Sequence, residues 1–411
     1  MKFLHLADLH FGKSIHGVSL LENGDQPVWV DRFLELVRGI QPDAIVIAGD
    51  VYDRSAPSGD AVALLDRMIS ALAAMEIPVM IVAGNHDSGQ RMSFGGSLLA
   101  KQNVHISGIL SREIPHVTLS DQNGPVTFWL MPYVFPALVA QKLEDDSIHD
   151  YDTAIRRLLA AQNIDFSQRN VLVAHQNVTA NGQEAVCGGS ESMVGGVGQV
   201  DYTAFDGFDY VALGHIHAAY PVGRDTVRYA GSPLCYHFEE AKQQVKGPVL
   251  VELGAKTCVP AIETKVIAPL HPMREIKGEY HAIQTAELQN PSRGEYVRIV
   301  LTDRRPEPEI YSFFRGLFEG RDSILMDLMS EYHPFQAMTS VSPAETMAEK
   351  TIEDLFIDFY SERFDGNVPD QAAQKLLRFV GEQVRHAERD DALEPQVEAL
   401  REFASKQEDA E

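Results

Sequence analysis

Apolar residues along this chain fall into two patterns, and each predicts a different kind of element. Runs at 44–48, 78–83, 171–174 and 209–213 are almost wholly apolar and too short for helices, so they read as strands covered on both faces. Segments 125–131 (PVTFWLM) and 248–252 add further strand candidates. Between them the spacing turns helical. Trp29, Phe33, Leu36, Val37 and Ile40 share one face of a helix over 27–40, where Pro27 fits the first turn. Leu64, Leu65, Met68 and Leu72 share a face of a second helix over 58–75, between an N-cap at Ser58 and a stop at Pro78. Strands interleaved with helices over residues 1–265 predict an α/β (α+β) fold, a sheet-rich core flanked by helices.

The pattern changes near residue 270. Val297, Ile299 and Leu301 alternate as in a strand, 309–318 is helical, and a short strand follows around 323–328, which makes 270–342 a small α+β domain. Two amphipathic helices are expected within 346–411. Ile352, Leu355, Phe356, Phe359 and Tyr360 share a face of the first, and Leu376, Leu377, Phe379, Val380 and Val384 a face of the second. Two helices alone bury such faces poorly, so they are expected to pack on the body or on a partner. Residues 176–199 break the regularity with Gly182, Gly188, Gly189, Gly195, Gly196 and Gly198, a glycine-rich loop between two strands.

Composition narrows the class. Hydrophobic residues make up 45% and charged residues 23%, as in ordinary globular proteins, and no apolar run approaches the roughly 18 residues of a membrane span. Chemistry-bearing residues begin at position 8, which argues against a cleaved leader, and Cys187, Cys235 and Cys258 lack CxxC spacing. The expectation is a cytoplasmic protein with free thiols. Net charge is −24, and residues 346–411 alone carry 17 acids against 8 bases. That balance argues against strong non-specific DNA binding by this chain alone, although bound cations would reverse the sign locally.

The apolar runs share a further property: each leads straight into a metal-ligand type of residue. LHLADLH ends in Asp8 and His10, IVIAGD in Asp50, MIVAGNHD in Asn85 and His86, VLVAH in His175, and VALGHIH in His215 and His217. Several strands delivering such residues to one sheet edge predict a two-metal site for phosphoryl transfer, with cations about 3.5–4 Å apart. Such a pair needs a bridging carboxylate. Asp50 is the candidate, because Gly49 lets the backbone turn sharply before it. Asp8 with His10, and His215 with His217, are pairs two residues apart that reach one ion together, while Asn85 adds a neutral oxygen. His86 is expected to point at substrate, to protonate a leaving oxygen or steady the phosphate. Asp53 and Asp87 are expected behind the ligands, orienting a histidine or a water. Mixed imidazole and carboxylate donors suit Mn, Fe or Zn. The stretch ADLHFGKS looks like a relaxed P-loop, but Ala7 replaces its first glycine and Asp8 would repel phosphate. His16 lies just beyond the first motif as a candidate substrate contact; the other histidines, His5 among them, read as ordinary surface or strand residues.

The order DLH, GDVYD, GNHD, AHQN and GHIH resembles the calcineurin-like metallophosphoesterases. Within them, LHLADLHFGKS, AGDVYDRSAPS and GHIH followed by YAGSPL are similar to the bacterial branch of the double-strand-break repair nucleases. The resemblance implies a two-sheet metallophosphoesterase core flanked by helices, then a small capping domain and C-terminal helices. It implies one cation at Asp8, His10, Asp50 and His217, the other at Asp50, Asn85, His175 and His215, both Mn²⁺, with His86 catalytic. It further implies DNA ends and hairpins as substrates, 3′→5′ exonuclease and hairpin-opening endonuclease activity, and homodimers assembled with a coiled-coil ABC-type ATPase on the C-terminal helices. Asp53 stands where archaeal and eukaryotic members carry a histidine, and Ala174 where a glycine often precedes the metal-binding histidine. The rival readings are another phosphoesterase on the same core, a phosphatase or cyclic-nucleotide phosphodiesterase, and a non-catalytic scaffold.

Overall fold

The runs without alternation become interior strands, because only a strand covered on both faces can be apolar throughout. The computed structural model describes residues 1–180, 198–242 and 245–332. Strands Lys2–Leu6 (β1), Ala44–Ala48 (β2), Val79–Val82 (β3) and Val104–Ser107 (β4) pair in parallel. The chain then crosses to a second sheet with His116–Asp121 (β5), Gly124–Met131 (β6), Arg169–His175 (β7), Tyr210–Gly214 (β8), Pro221–Val222 (β9) and Arg224–Tyr229 (β10). It returns to the first through Val249–Glu252 (β11) and Ala261–Thr264 (β12). The spatial orders are β12-β11-β1-β2-β3-β4 and β9-β10-β8-β7-β6-β5.

Alternate residues of each strand serve different layers. Phe3, Val46 and Met80 face inward against Phe128, Leu130, Val173 and Tyr210, forming the layer between the sheets. Phe3 meets Phe128 edge-on at 5.4 Å and Tyr210 at 5.6 Å. Leu4, Ile45, Ile47 and Ile81 face outward under helices Asp25–Ile40 (α1) and Gly59–Ala74 (α2), which contribute Trp29, Phe33, Val37, Met68 and Leu72. On the far side, Pro136–Leu143 (α3) and Tyr151–Ala160 (α4) cover Leu172, Ala174, Val211 and Leu213 with Val139, Ile155 and Leu158. Ser58 caps α2 as its sequence requires, its hydroxyl accepting from Ala61 N at 3.3 Å. Among the described residues no helix is long and apolar enough to cross a membrane.

Residues 273–330 add Met273–Gly278 (β13), Tyr280–Gln289 (α5), Tyr296–Leu301 (β14), Pro308–Glu319 (α6) and Ile324–Ser330 (β15). The three strands pair in parallel with β14 central, around Val297, Ile299, Leu301, Phe314 and Phe318. The unit meets the core along all three strands, with Met273, Tyr296, Ile324 and Met326 packed into the cluster under α1 and α2. The Tyr296 hydroxyl donates to the Asp25 carboxylate and accepts from Asn23 Nδ2 at 2.6 Å, while His271 Nδ1 lies 3.0 Å from Asp25 Oδ1. Helices α3, α4 and α5 and strands β4, β5, β9, β10, β12 and β13 were not anticipated from the pattern. The glycine-rich loop is described only at its ends, where Val178–Thr179 pairs with Val200–Asp201; the helices expected within 346–411 lie outside the described residues.

Phe128→Ala, which empties the layer between the sheets, is expected to lower unfolding free energy by about 3–5 kcal/mol, read from chemical denaturation.

Candidate metal centre

Every one of the anticipated residues follows the carboxyl end of a parallel strand: Asp8 and His10 after β1, Asp50 after β2, Asn85 and His86 after β3, His175 at the end of β7, and His215 and His217 after β8. Open sheets collect their chemistry at that edge. To aim the side chains into one space the backbone bends out of the strand conformation. Asp8, His10, Asp50 and His215 have φ of 53°, 42°, 48° and 104°, the left-handed region that costs a non-glycine residue about 1–3 kcal/mol each. Backbone bonds between the first two loops hold these kinks. Asp8 N donates to Gly49 O at 3.0 Å, His10 N to Asp50 O at 2.9 Å and Phe11 N to Val51 O at 2.9 Å.

Glycines make the approach possible. Gly49, with φ +83°, lies against the His175 ring, and Gly214 against the Ala48 carbonyl oxygen and the same ring. A Cβ at Gly84 would collide with the Asp50 carboxylate and backbone. So the glycines of GD, GNHD and GHIH are steric requirements of the assembled site.

The assembled atoms form overlapping clusters. Asp8, His10 and His217 offer one set of atoms within 4.8 Å of one another, His10, Asp50 and His86 a second, and Asp8, Asp50 and His175 a third. Asn85 Oδ1 joins from the side, 3.0 Å from His175 Nε2 and 3.1 Å from His215 Nδ1. Asp50 Oδ2 stands centrally, 3.4 Å from His175 Nε2, 3.6 Å from His10 Nε2 and 3.9 Å from His86 Nε2. Electrostatics follow from burial. Desolvation pushes the Asp8 carboxyl up to about 7, and pushes His10 well below its ordinary value and His215 down to about 3. Burial would also raise Asp50, but the charge of His175 and the hydrogen bond from it hold it far below the usual carboxylate range; the same pair lifts His175 to about 9 against its own burial.

The residues present fit cations on their own geometry. His10 Nε2 and His217 Nε2 face each other at 3.2 Å, and His10 Nδ1 is buried without a hydrogen-bond partner. Two imidazole lone pairs so placed require a proton or a cation between them. His175 Nδ1 donates to Ala48 O at 2.8 Å, which fixes the ring and aims Nε2, the nitrogen at which a cation would take the place of the proton, toward Asp50 and Asn85. His86 differs from the rest. Its side chain is 43% exposed, and Nδ1 donates to the Asp53 carbonyl at 3.0 Å, so Nε2 turns to the cluster. The Asp53 carboxylate lies 3.6 Å from His10 Nδ1 and is paired with Lys13 at 2.9 Å. The Asp87 carboxylate accepts from Gly84 N, Val51 N and Tyr52 N at 2.9, 3.1 and 2.9 Å, tying the GNHD turn to the GDVYD turn.

Sequence reasoning missed several neighbours. Buried Glu240 faces His217 Nδ1 at 3.5 Å, Lys246 binds Glu240, and the Tyr236 ring stands 5.5 Å from His10 and 5.3 Å from His217. Proximity to YAGSPL was the available signal, but an isolated acid on a turn reads as solvated. His5 is fully buried, with Nδ1 3.1 Å from the Tyr210 hydroxyl and Nε2 3.2 Å from Leu213 O, a bridge between the sheets beneath the site. His16 packs near Phe238, ring centroids 6.1 Å apart, outside the cluster. Cys235 and Cys258 are free thiols, and Cys187 lies outside the described residues.

Comparison with known proteins adds three findings. A family model described as calcineurin-like phosphoesterase matches residues 1–219, and one described as the type 5 capsule protein repressor C-terminal domain matches 269–364. The SbcD subunit of the nuclease SbcCD from Staphylococcus saprophyticus is 34% identical over 312 residues, 73% of this chain and 78% of that protein. The crystal structure of the Thermus thermophilus protein TT1561 aligns with a TM-score of 0.38 and 13% identity, covering 65% of this chain and 99% of that one.

Gly214→Ala is expected to force β8 away from Ala48, lowering stability by about 1–3 kcal/mol and the bound-metal count with it. Gly39→Ala, a glycine in α1 with open space around its Cβ position, is the control: stability unchanged or raised by up to about 1 kcal/mol, metal count unchanged.

Proposed function

The chain belongs to the calcineurin-like phosphoesterase family, and on that premise we propose that it is a DNA nuclease subunit that hydrolyses phosphodiesters at a two-cation centre. The 34% identical relative is a nuclease subunit, which supports the substrate class. The observation that carries the chemistry is the central Asp50, within 4 Å of three histidines, the exposed His86 among them.

Asp8, His10, Asp50 and His217 would hold one cation, and Asp50, Asn85, His175 and His215 would hold the other. Bound there, divalent cations would supply Lewis acidity and lower the pKa of a water. The donor mix suits Mn²⁺. The protein's own groups do the rest. His86, anchored through Nδ1 by the Asp53 carbonyl, presents Nε2 to the leaving oxygen or to a phosphate oxygen. Asp53 and Asp87 hold the loops that carry His10, Asp50 and Asn85 in register. Tyr133, its ring 6.1 Å from that of His175 and 6.4 Å from that of His215, with the half-exposed Phe135 beside it at 4.8 Å, offers a base a stacking surface.

In the same reading, residues 1–265 are the nuclease domain, 270–342 the capping domain and 346–411 the partner-binding region. The partner is an SbcC-type coiled-coil ABC ATPase, in a heterotetramer around a homodimer of this chain. It acts in the cytoplasm on DNA ends and hairpins as a 3′→5′ double-strand exonuclease and a hairpin or single-strand endonuclease. The strongly acidic chain favours such a partnership, since net charge −24 weakens its own hold on DNA.

With Mn²⁺, purified protein is expected to cut linear DNA and to leave a small phosphomonoester untouched. His86→Ala is expected to lose about 10²–10⁴-fold in cleavage rate while keeping both metals, counted by elemental analysis. Hydrolysis of the monoester alone would overturn the nuclease reading in favour of a phosphatase.

A further inference from the structure

Beyond the ligand set lies a buried polar network formed by Ser232, Glu240 and Lys246. Glu240 is fully buried on a short turn, Glu240–Lys242, and its two carboxylate oxygens are divided between two tasks. Oε1 faces His217 Nδ1 at 3.5 Å. Oε2 accepts from Lys246 Nζ at 2.7 Å and from Tyr236 N at 3.2 Å. Lys246 in turn donates to the His217 carbonyl and to Ser232 Oγ, both at 2.7 Å. One ammonium group thus grips both the backbone of His217 and the carboxylate opposite its ring.

We propose that Glu240, fixed by Lys246, is the positioning residue of His217. It holds the proton on Nδ1, so that Nε2 presents a bare lone pair to the cation shared with Asp8 and His10. The proposal rests on the two-cation reading of the site and names a residue that reading does not include. A buried Lys–Glu pair adds little stability over an apolar pair of the same volume, so pairing alone does not account for it. Pairing with Lys246 also needs only Oε2, whereas Oε1 is aimed at an imidazole nitrogen. A histidine ligand whose second nitrogen meets a carboxylate has its tautomer and ring angle fixed and its basicity raised. The geometry at the other nitrogen agrees: His217 Nε2 points at His10 Nε2, 3.2 Å away, where a proton on both would clash.

The test uses the full chain. In ¹⁵N-histidine-labelled, metal-free wild type, long-range ¹H–¹⁵N spectra are expected to place the His217 proton on Nδ1, the signals being assigned by their loss in His217→Gln. A proton on Nε2 overturns the proposal, and this reading needs no Glu240 variant to fold. In Mn²⁺ titrations, Glu240→Gln is expected to weaken one of two binding steps by about 10–100-fold and leave the other unchanged. Lys246→Met, which keeps the carboxylate beside the ring, is expected to lower the melting temperature but to weaken that step less. Wild-type affinity for both ions in Glu240→Gln would reduce Glu240 to a partner of Lys246 and sink the proposal. Failure of wild type to take up Mn²⁺ at all would instead sink the two-cation reading, and the proposal with it.

Discussion

The contact on which the rest depends is the meeting of the two sheets at their carboxyl edges. Elsewhere Phe3, Met80, Phe128 and Tyr210 hold the sheets apart at side-chain thickness, of order 10 Å. At the edge that spacing collapses. His175 of the second sheet donates to Ala48 O of the first, Gly214 lies against the same carbonyl, and the Asp8 carboxylate accepts from His215 N at 3.0 Å. The first sheet brings Asp8, His10, Asp50 and Asn85 and the second brings His175, His215 and His217, so the full set converges only while this seam is closed. Glycine is required at the seam because the space a Cβ would fill is already occupied by the opposing strand.

Closing the seam has an energetic cost. Carboxylates and imidazoles are taken out of water, and four of the converging residues sit in left-handed backbone conformations. The structure offsets this locally. The loops after β1 and β2 continue as a hydrogen-bonded ladder beyond their strands, and the Asp87 carboxylate binds three backbone N–H groups across two turns. Mutual attraction of Asp50 and His175 does the rest. The strands behind the site, β2, β7 and β8, are buried along their whole length.

What the sequence made legible was local. Apolar runs ending in Asp, Asn or His located the five loops, since the strand and its ligand are contiguous, and the anticipated ligands, with His86, Asp53 and Asp87, sit in or beside one cluster, whereas His16 lies outside it. The two covered helices were equally plain, because Trp29 to Ile40 and Leu64 to Leu72 repeat at helical spacing. Weaker periodicity hid other elements. Along β13 the residues MREIKG are mostly half-buried, and α5 buries only Ile283 and Glu287, so neither produces a clean pattern. Glu240 and Lys246 were invisible for a different reason. Beyond the neighbouring YAGSPL, nothing near them in sequence distinguishes a buried ion pair from a solvated one; the distinction is made by His217 arriving from another strand end.

That segment also shows how the core and the 273–330 unit are joined. Consecutive residues divide between the two: the Tyr236 hydroxyl donates to Leu9 O at 2.7 Å beneath the first ligand loop, and Glu240 turns inward to His217. Phe238 lies under the Arg298 guanidinium, 4.7 Å from its ring centroid, and Glu239 accepts from Arg298 at 3.0 Å. Arg298 belongs to β14, where Glu275 of β13 binds it at 2.9 Å through Nε. A tight turn places neighbouring side chains on opposite faces, so two adjacent glutamates serve different partners, one a candidate metal ligand and the other the central strand of the neighbouring sheet. The polar groups behind His217 and the joint that carries β14 are therefore held by one short piece of backbone, and substitution at either glutamate acts on geometry that both share.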